Sequence, residues 1–338
     1  MIEIDGSYGS GGGQILRTAI GLSALTGKPC RIYNIRARRG NPGLREQHRQ
    51  AILAVNDLAQ GELQNAKLSS QEITFYPGKT FKGGHLKVNI STAGSIGLVL
   101  QALLIPATRL SSLEIEIVGG ATWGKWAPPL SYIENVLSPL LMKVGYLVKV
   151  VTLKEGFYPK GGAEVKVKVN KAKFILWRLL ELGEICSIRG ISVASLSLRE
   201  QKVAERQREV AEQRIFNYFK IKSQIDVKYV PVICPGSGIQ LWLSTANTIL
   251  GANALGEKGK KAELVGGEGA ENLIREYESG GALDSHTADQ ILPYLALAGG
   301  EMKVAKITDH CKTNIWVIEK FLPVKFEIKE EIISCAKS

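Results

Sequence analysis

Three stretches of the 338-residue sequence resemble one another, and this repetition constrains the fold more than any other feature. They occupy residues 13–27, 94–110 and 284–300. Each stretch begins with small or polar residues, carries a glutamine near its front and continues with apolar residues at helical spacing, beside segments with the alternating pattern of strands. The glutamines are Gln14, Gln101 and Gln290. This repetition predicts an α/β (α+β) fold in which three repeated units form a large domain.

A segment with different content interrupts the repeats. Strand patterns occupy residues 187–198, 225–230 and 239–244, and a highly charged helix pattern occupies residues 199–219. We therefore predict a smaller inserted α/β domain at residues 183–275, between the second and third repeats. The large domain then comprises residues 1–182 plus 276–338. The alternative is one large domain with long excursions.

The charge of the chain is strongly basic and unevenly distributed. The sequence has 43 Lys and Arg against 32 Asp and Glu, a formal net charge of +11. Six arginines crowd one stretch: Arg31, Arg36, Arg38, Arg39, Arg45 and Arg49. Such clustering indicates a polyanionic partner, whereas the alternative is that these side chains only solvate the surface.

Cysteine use and hydropathy bear on the compartment. The five cysteines are scattered and show no C-x-x-C spacing, so neither a zinc knuckle nor a disulfide framework is indicated. The sequence begins with a strand-like segment rather than a signal sequence, and its apolar stretches are broken before membrane-spanning length. We therefore expect a cytoplasmic protein without a membrane partner.

A dense glycine run at residues 5–17 leads directly into the first repeated helix. Glycines let successive backbone N–H groups turn toward one anion, and a helix start adds the positive end of its dipole. The phosphate loop predicted here consists of Gly11, Gly12, Gly13 and Gln14. It is not a Walker A sequence, because the Gly-Lys-Ser/Thr ending is missing. The alternative is a plain turn, because glycine pairs recur along the chain.

Histidine is scarce, so each of the four histidines can be considered individually: His48, His85, His286 and His310. His310 lies in a polar segment between a predicted strand at residues 303–307 and a predicted helix at 315–321. A neutral imidazole beside a helix start can act as a nucleophile toward a phosphoryl group. The alternative is a loop histidine bonded to Asp309 or to the backbone.

Several ordered motifs resemble those of RNA 3'-terminal phosphate cyclases. They occupy residues 9–17, 35–39, 42–48, 93–101, 119–120, 127–129, 156–162, 288–290 and 310–324. The motifs cover nearly the whole chain in the family's order, and only the inserted segment matches loosely. The resemblance also implies the family's architecture, in which three repeated units carry an inserted smaller domain.

The resemblance implies an ATP-dependent ligase that converts an RNA 3'-phosphate into a 2',3'-cyclic phosphate. In the family a histidine, which matches His310, attacks the ATP α-phosphate and becomes joined to AMP. The adenylate then passes to the RNA 3'-phosphate, and the neighbouring 2'-OH expels AMP. The implied cofactors are ATP and a divalent metal, Mg or Mn, and the implied partner is RNA with a 3'-phosphate end. A homodimer is left open.

The resemblance also assigns site residues. Arg17, Arg36 and Arg39 match arginines near the nucleotide and substrate phosphates. Five residues match the lining of the adenylate pocket: Gln47, Gln101, Pro128, Asp289 and Gln290. The competing roles are local: Gln14, Gln101 and Gln290 can cap or brace their own helices, and Arg36 or Arg39 can pair with Glu46.

Two positions depart from the family pattern. Ser10 replaces a glutamate associated with the metal, so we expect any metal contact to involve Asp289 instead. His286 replaces a tyrosine beside the nucleotide, where it can stack on adenine or compete with His310 as nucleophile. Two further hypotheses stay open: a non-catalytic RNA-binding relative acting in ribosome assembly, and a carboxyvinyl transferase.

Overall fold

The computed structural model describes residues 1–9, 11–125 and 127–337. The first unit consists of β1 (Ile2–Asp5), α1 (Gly13–Thr26), β2 (Cys30–Tyr33), α2 (Glu46–Ala59), β3 (Glu62–Gln64) and β4 (Ile73–Tyr76). Its four strands form a sheet in the order β1-β2-β4-β3. The first two strands are parallel, because α1 crosses between them, and the other pairs are antiparallel.

The second unit repeats this arrangement. It consists of β5 (Gly84–Ser95), α3 (Ile96–Ala107), β6 (Ser112–Ala121), α4 (Leu130–Tyr132), a π-helical turn (Ile133–Leu137), α5 (Ser138–Lys143), β7 (Val148–Lys154) and β8 (Glu164–Asn170). The sheet order is β5-β6-β8-β7, and again only the first pair of neighbours, β5 and β6, is parallel. The two units therefore share one topology.

The third unit begins with β9 (Trp177–Leu179) and is then interrupted. The inserted segment consists of β10 (Ile185–Ser195), a 3₁₀ turn (Leu196–Leu198), α6 (Val203–Phe219), β11 (Gln224–Val230), β12 (Ser237–Thr245), β13 (Ile249–Leu255) and α7 (Ala262–Glu278). Its sheet has the order β11-β10-β12-β13. Helices α6 and α7 pack on this sheet around a separate apolar core that includes Ile215, Leu241 and Leu273.

The third unit resumes after the insertion. It continues with α8 (Ser285–Ala298), β14 (Gly300–Lys303), α9 (Asp309–Phe321), β15 (Val324–Lys329) and β16 (Ile332–Lys337). The sheet order β15-β16-β14-β9 and the parallel pairing of β14 with β9 match the other two units. The predicted α/β fold built on three repeats is thus confirmed.

The position of the insertion differs from the prediction. Because β9 pairs with β14, the insertion lies inside the third unit, after its first strand, and not between the second and third repeats. Sequence analysis missed β9 because three residues give too short a pattern. Helix α7 also continues past residue 275 to Glu278. The division into domains 1–182 plus 276–338 and 183–275 stays a prediction.

Two predicted elements near His310 were also displaced. The strand expected at 303–307 is β14, which ends at Lys303, and the helix expected at 315–321 begins at Asp309. The helix starts early because the Thr308 hydroxyl accepts a hydrogen bond from the Cys311 N–H at 3.1 Å, which caps the helix. His310 therefore lies in the first turn of α9 and not in a preceding loop.

The helices of the three units pack together on one apolar core. Helix α1 contacts α2, α3 and α9, and α8 contacts α9. The starts of α1, α8 and α9 consequently come close to one another. Among the described residues, no helix combines the length and apolar character needed to cross a bilayer.

Candidate functional site

The glycine run is held against α9. Gly9 has φ +53°, and a Cβ at this position would lie 2.3 Å from the Thr313 hydroxyl oxygen. The Tyr8 ring stacks on Trp316 of the same helix, with ring centroids 4.1 Å apart. Only glycine allows both the left-handed conformation and the close contact. The loop is therefore fixed beside the helix that carries His310. Ser10, where the family pattern has glutamate, lies outside the described residues.

The N-terminus of α1 is available to an anion. Its N-cap residue, Gly12, supplies no side-chain acceptor, and its first turn contains no acidic residue. A Cβ on Gly13 would lie 2.1 Å from His48 Nε2, so glycine is required there by the imidazole ring. The backbone N–H groups of the first turn and the helix dipole thus favour a bound phosphate at this point.

Gln14 orients the imidazole of His310. The amide nitrogen of Gln14 donates to the His310 carbonyl oxygen at 3.3 Å and to Asp289 Oδ2 at 3.5 Å. The amide oxygen therefore faces His310 Nδ1, with which it forms a hydrogen bond. Because an amide oxygen only accepts, Nδ1 carries the proton and Nε2 keeps its lone pair. Nε2 is the nitrogen able to attack a phosphorus atom.

Asn314 of α9 joins its own helix to α1 and α8, close to Gln14 and His310. Its amide nitrogen donates to the Asp289 carbonyl oxygen of α8 at 2.7 Å, and its amide oxygen accepts from the Thr18 hydroxyl of α1 at 2.8 Å. Both side chains are buried. A buried polar side chain with satisfied partners fixes the relative positions of the elements that it joins. Asn314 lies in the motif at 310–324 but was not predicted as a site residue.

Arg17 and Asp289 form the charged floor of the site. Arg17 Nε donates to Gln101 Oε1 at 3.3 Å, which links α1 to α3. Burial lowers the pKa of Arg17 to about 10, against the attraction of Asp289, so the guanidinium stays charged at neutral pH. Burial raises the pKa of Asp289 to about 7, although Arg17 opposes the rise. The protonation state of the Asp289 carboxyl is therefore sensitive to any charge placed beside it.

A cavity of about 730 Å³ opens above this floor. It brings together twelve of the fourteen predicted site residues: Gly12, Gly13, Gln14, Arg17, Arg36, Arg39, Gln47, Gln101, His286, Asp289, Gln290 and His310. Four arginines, Arg17, Arg36, Arg39 and Arg45, and an uncapped helix start suit a polyphosphate. The apolar side chains of the lining suit a purine ring: Leu98, Leu104, Ile105, Ile133, Leu137 and Pro293.

Two predicted residues stand outside the lining. Gly11 has φ +55°, and its N–H donates to the Tyr8 carbonyl oxygen at 2.9 Å, so it closes the turn of the loop. Pro128 precedes α4, with its carbonyl oxygen 3.8 Å from a Cβ built on Gly97. Both residues support the elements that line the cavity.

Arg45 and His48 line the cavity but were not predicted as site residues. Burial first, and then the charges of Arg17, Arg36 and Arg45, lower the pKa of His48 to about 3. The ring is therefore neutral, and within the described part of the chain its buried Nδ1 has no hydrogen-bond partner. The scarcity of histidine and the presence of His48 in the motif at 42–48 were the available signals.

His286 shares the cavity with His310. Its ring lies edge-on to Tyr132, with centroids 6.1 Å apart. The backbone N–H of His286 donates to Asp284 Oδ1 at 3.0 Å. The buried Asp284 carboxylate caps α8 and also accepts from the Gly251 N–H of the inserted segment at 2.9 Å. Through Asp284, the start of α8 in the third unit is therefore hydrogen-bonded to the inserted segment as well.

The residues offer limited ligation for a metal ion. In residues 1–9, 11–125 and 127–337, no three His, Cys, Asp or Glu side chains are grouped so that they could hold one. Asp289 is the acidic residue in the described lining. A cation whose ligands are mostly water and phosphate oxygens needs at most one protein carboxylate. The single carboxylate of Asp289 agrees with that kind of binding and not with a site built entirely from protein ligands.

Comparison with known proteins identifies the family of this chain. The model of the RNA 3'-terminal phosphate cyclase family matches residues 8–328. Relatives named RNA 3'-terminal phosphate cyclase include those of Methanopyrus kandleri, 46% identical over 97% of this chain and 95% of the relative, and Thermococcus gammatolerans, 45% identical over 98% and 95%. The relative from Pyrococcus furiosus is 45% identical over 97% and 95%.

The chain therefore belongs to the RNA 3'-terminal phosphate cyclase family. The family predicted from the motifs is confirmed, and with it the prediction of an enzyme. The relatives' shared name supports the cyclase function and not the non-catalytic alternative.

Proposed function

We propose that this chain converts the 3'-terminal phosphate of RNA into a 2',3'-cyclic phosphate with consumption of ATP, and that His310 is its nucleophile. The observation that carries the proposal is the hydrogen bond between His310 Nδ1 and the Gln14 amide oxygen, at a cavity lined by Arg17, Arg36 and Arg39. The family, the cavity size and the uncapped start of α1 support ATP as the co-substrate.

The reaction proceeds in three displacements at phosphorus. First, His310 Nε2 attacks the α-phosphorus of ATP, the bond to the bridging oxygen breaks, and pyrophosphate leaves. Second, an oxygen of the RNA 3'-phosphate attacks the adenylate phosphorus and displaces the imidazole. Third, the 2'-oxygen attacks the 3'-phosphorus, its proton is lost to solvent, and AMP leaves. The arginines stabilise the charge at phosphorus in each displacement.

Further aspects of the proposal concern the metal, the compartment and assembly. A divalent cation, Mg²⁺ or Mn²⁺, would be held by ATP phosphates, water and Asp289, and would neutralise polyphosphate charge when bound. A reducing cytoplasm suits the five scattered cysteines, of which Cys30, Cys311 and Cys335 are buried. A homodimer stays a prediction.

The proposal is tested by incubating the wild-type protein with ATP labelled at the α-phosphate and then with an oligoribonucleotide 3'-phosphate. We expect one labelled histidine peptide, which contains His310, and then a cyclic RNA end with release of labelled AMP. Label on His286, or no labelled protein with either Mg²⁺ or Mn²⁺ present, would contradict the assignment of the nucleophile.

Replacing Gln14 by methionine should slow adenylation of His310. The substitution keeps the side-chain length and removes the acceptor that fixes the Nδ1 proton, so we expect a loss of about 10- to 100-fold in the single-turnover rate. Gln50→Met is the matched control, because Gln50 of α2 donates to Glu46 and is not part of the cavity lining. Equal rates for Gln14→Met and the wild-type protein would refute the orienting role.

The pH dependence of adenylation reports the charges around His310. Partial burial, and then Arg17 and Arg39, lower the pKa of His310, so the ring stays neutral and nucleophilic to a lower pH than an ordinary histidine. Arg39→Gln removes one cation and raises that pKa. We therefore expect the acid limb of the rate profile to move to higher pH.

The Arg39→Gln comparison uses the pH at half-maximal rate, because losing a phosphate-binding charge also lowers the maximum. Arg208→Gln in α6 is the control, and it should leave the acid limb in place. An unchanged profile, or movement to lower pH, would show that Arg39 does not act on the His310 ring.

A further inference from the structure

A second cavity, of about 280 Å³, adjoins the first, and Gln47 lines both. Its other walls come from residues 92–95, 124–125 and 158–159. Residues 92–95 form the carboxyl end of β5, residues 124–125 follow β6, and residues 158–159 lie in the connection between β7 and β8. They coincide with motifs at 93–101 and 156–162 that the first cavity uses only in part. The function of the second cavity is therefore still to be assigned.

Glycines allow the backbones of β5, β6 and the β7–β8 connection to pack directly against one another. A Cβ on Gly120, which has φ +74°, would lie 2.9 Å from the Gly94 carbonyl oxygen. A Cβ on Gly161, which has φ +68°, would lie 2.6 Å from the Gly120 carbonyl oxygen. Larger residues would separate the segments. Gly94 in turn packs against Gln47, so the floor of this cavity continues into the wall of the first.

The second cavity differs chemically from the first. Its walls consist mainly of small residues, together with Gln47, Pro159 and Tyr158, which is 47% exposed; the small residues are Thr92, Ala93, Gly94, Ser95 and Gly124. Lys125 is the charged residue of the described lining, and it pairs with Glu257 of the inserted segment at 3.1 Å. Such walls suit a neutral ring and a sugar better than a polyphosphate.

We propose that the second cavity holds the ribose and base of the 3'-terminal nucleotide of the RNA, with the base against Tyr158. The inference rests on the proposed function, which places the terminal phosphate in the first cavity. The nucleoside is covalently joined to that phosphate, so it must occupy the adjoining space, and the two cavities meet at Gln47. Stacking on an aromatic ring accepts any base, so all four terminal bases bind.

The test compares two oligoribonucleotide 3'-phosphates that differ in the terminal residue. One carries a base there, and the other carries hydrogen in place of the base and keeps the 2'-OH. We expect the wild-type enzyme to favour the base by about tenfold in kcat/KM for cyclisation, Tyr158→Ala to lower this preference to about twofold or less, and Tyr158→Phe to retain it. Tyr218→Ala, at a tyrosine that is 43% exposed on α6, is the matched control.

Formation of the histidine adduct with ATP alone is measured for every variant, and it should be unchanged by Tyr158→Ala. If the adduct forms normally but the wild-type enzyme shows no preference for the substrate with a base, the proposed subsite is wrong. It is also wrong if the adduct forms normally and Tyr158→Ala keeps the preference. Failure of the wild-type protein to form the adduct contradicts the proposed function instead.

A second variant fills the cavity and does not remove the ring. Among the described residues, a Cβ on Gly124 would meet only Tyr158 Cβ, at 3.7 Å, so Gly124→Val places its methyl groups beside Tyr158 without a collision with their backbone. We expect it to lower kcat/KM for the substrate with a base by about tenfold and for the base-less substrate by about twofold or less. Equal losses for both substrates would overturn the proposal.

Discussion

Replacing His310 by alanine is expected to abolish adenylate transfer from ATP to the protein, with a loss of at least about 10⁴-fold. The substitution removes the nitrogen that bonds to phosphorus, and no other group in the cavity is held in the same way by Gln14. The side chain is solvent-accessible, so its removal should change the free energy of unfolding by at most about 1 kcal/mol. The measurements are incorporation of α-labelled phosphate and thermal unfolding.

Substitutions of two other histidines serve as controls for His310→Ala. His85→Ala changes an exposed histidine that lies 3.7 Å from Glu116, and it should leave incorporation at the wild-type level. His286→Ala tests the rival within the cavity and should keep the label on His310. Incorporation that survives His310→Ala and disappears in His286→Ala would reverse the assignment.

Arg17→Ala should give the next largest effect, a loss of about 10²–10³-fold in the adenylation rate. Arg17 lies on the cavity floor, where burial strengthens its attraction for the charge that develops at the α-phosphorus. Its removal also raises the pKa of Asp289 further above about 7, because Arg17 lowers that pKa, so the carboxyl is protonated at neutral pH. Single-turnover rates and the KM for ATP measure the effect.

Lysine at position 17 should restore only part of the activity, because it keeps the charge and loses the planar fork that grips two oxygens. Arg178→Ala is the control, since Arg178 is exposed on β9 and pairs with Glu301 at 2.9 Å. A rate for Arg17→Ala within about threefold of the wild-type rate would remove this arginine from the phosphate-binding set.

Sequence predicted the features of the site that depend on neighbouring residues and missed those that depend on packing between distant segments. The helix start after the glycine run was predictable because glycine content and apolar spacing act within one turn of chain. The start of α9 was placed too late, because the cap by Thr308 gave a weaker signal than the apolar residues further along. His48 was missed because its position against Gly13 depends on how α2 packs on α1.

The sequence alone determined the three repeated units, the loop that feeds α1 and the family, because periodicity, glycine requirements and motif order are properties of neighbouring residues. The tertiary structure alone decided that Gln14 meets His310, 296 residues away, that the insertion lies inside the third unit, and that three distant segments, at 92–95, 124–125 and 158–159, line a second cavity. Those features arise from packing between distant segments, where the geometry of the shared core sets each distance.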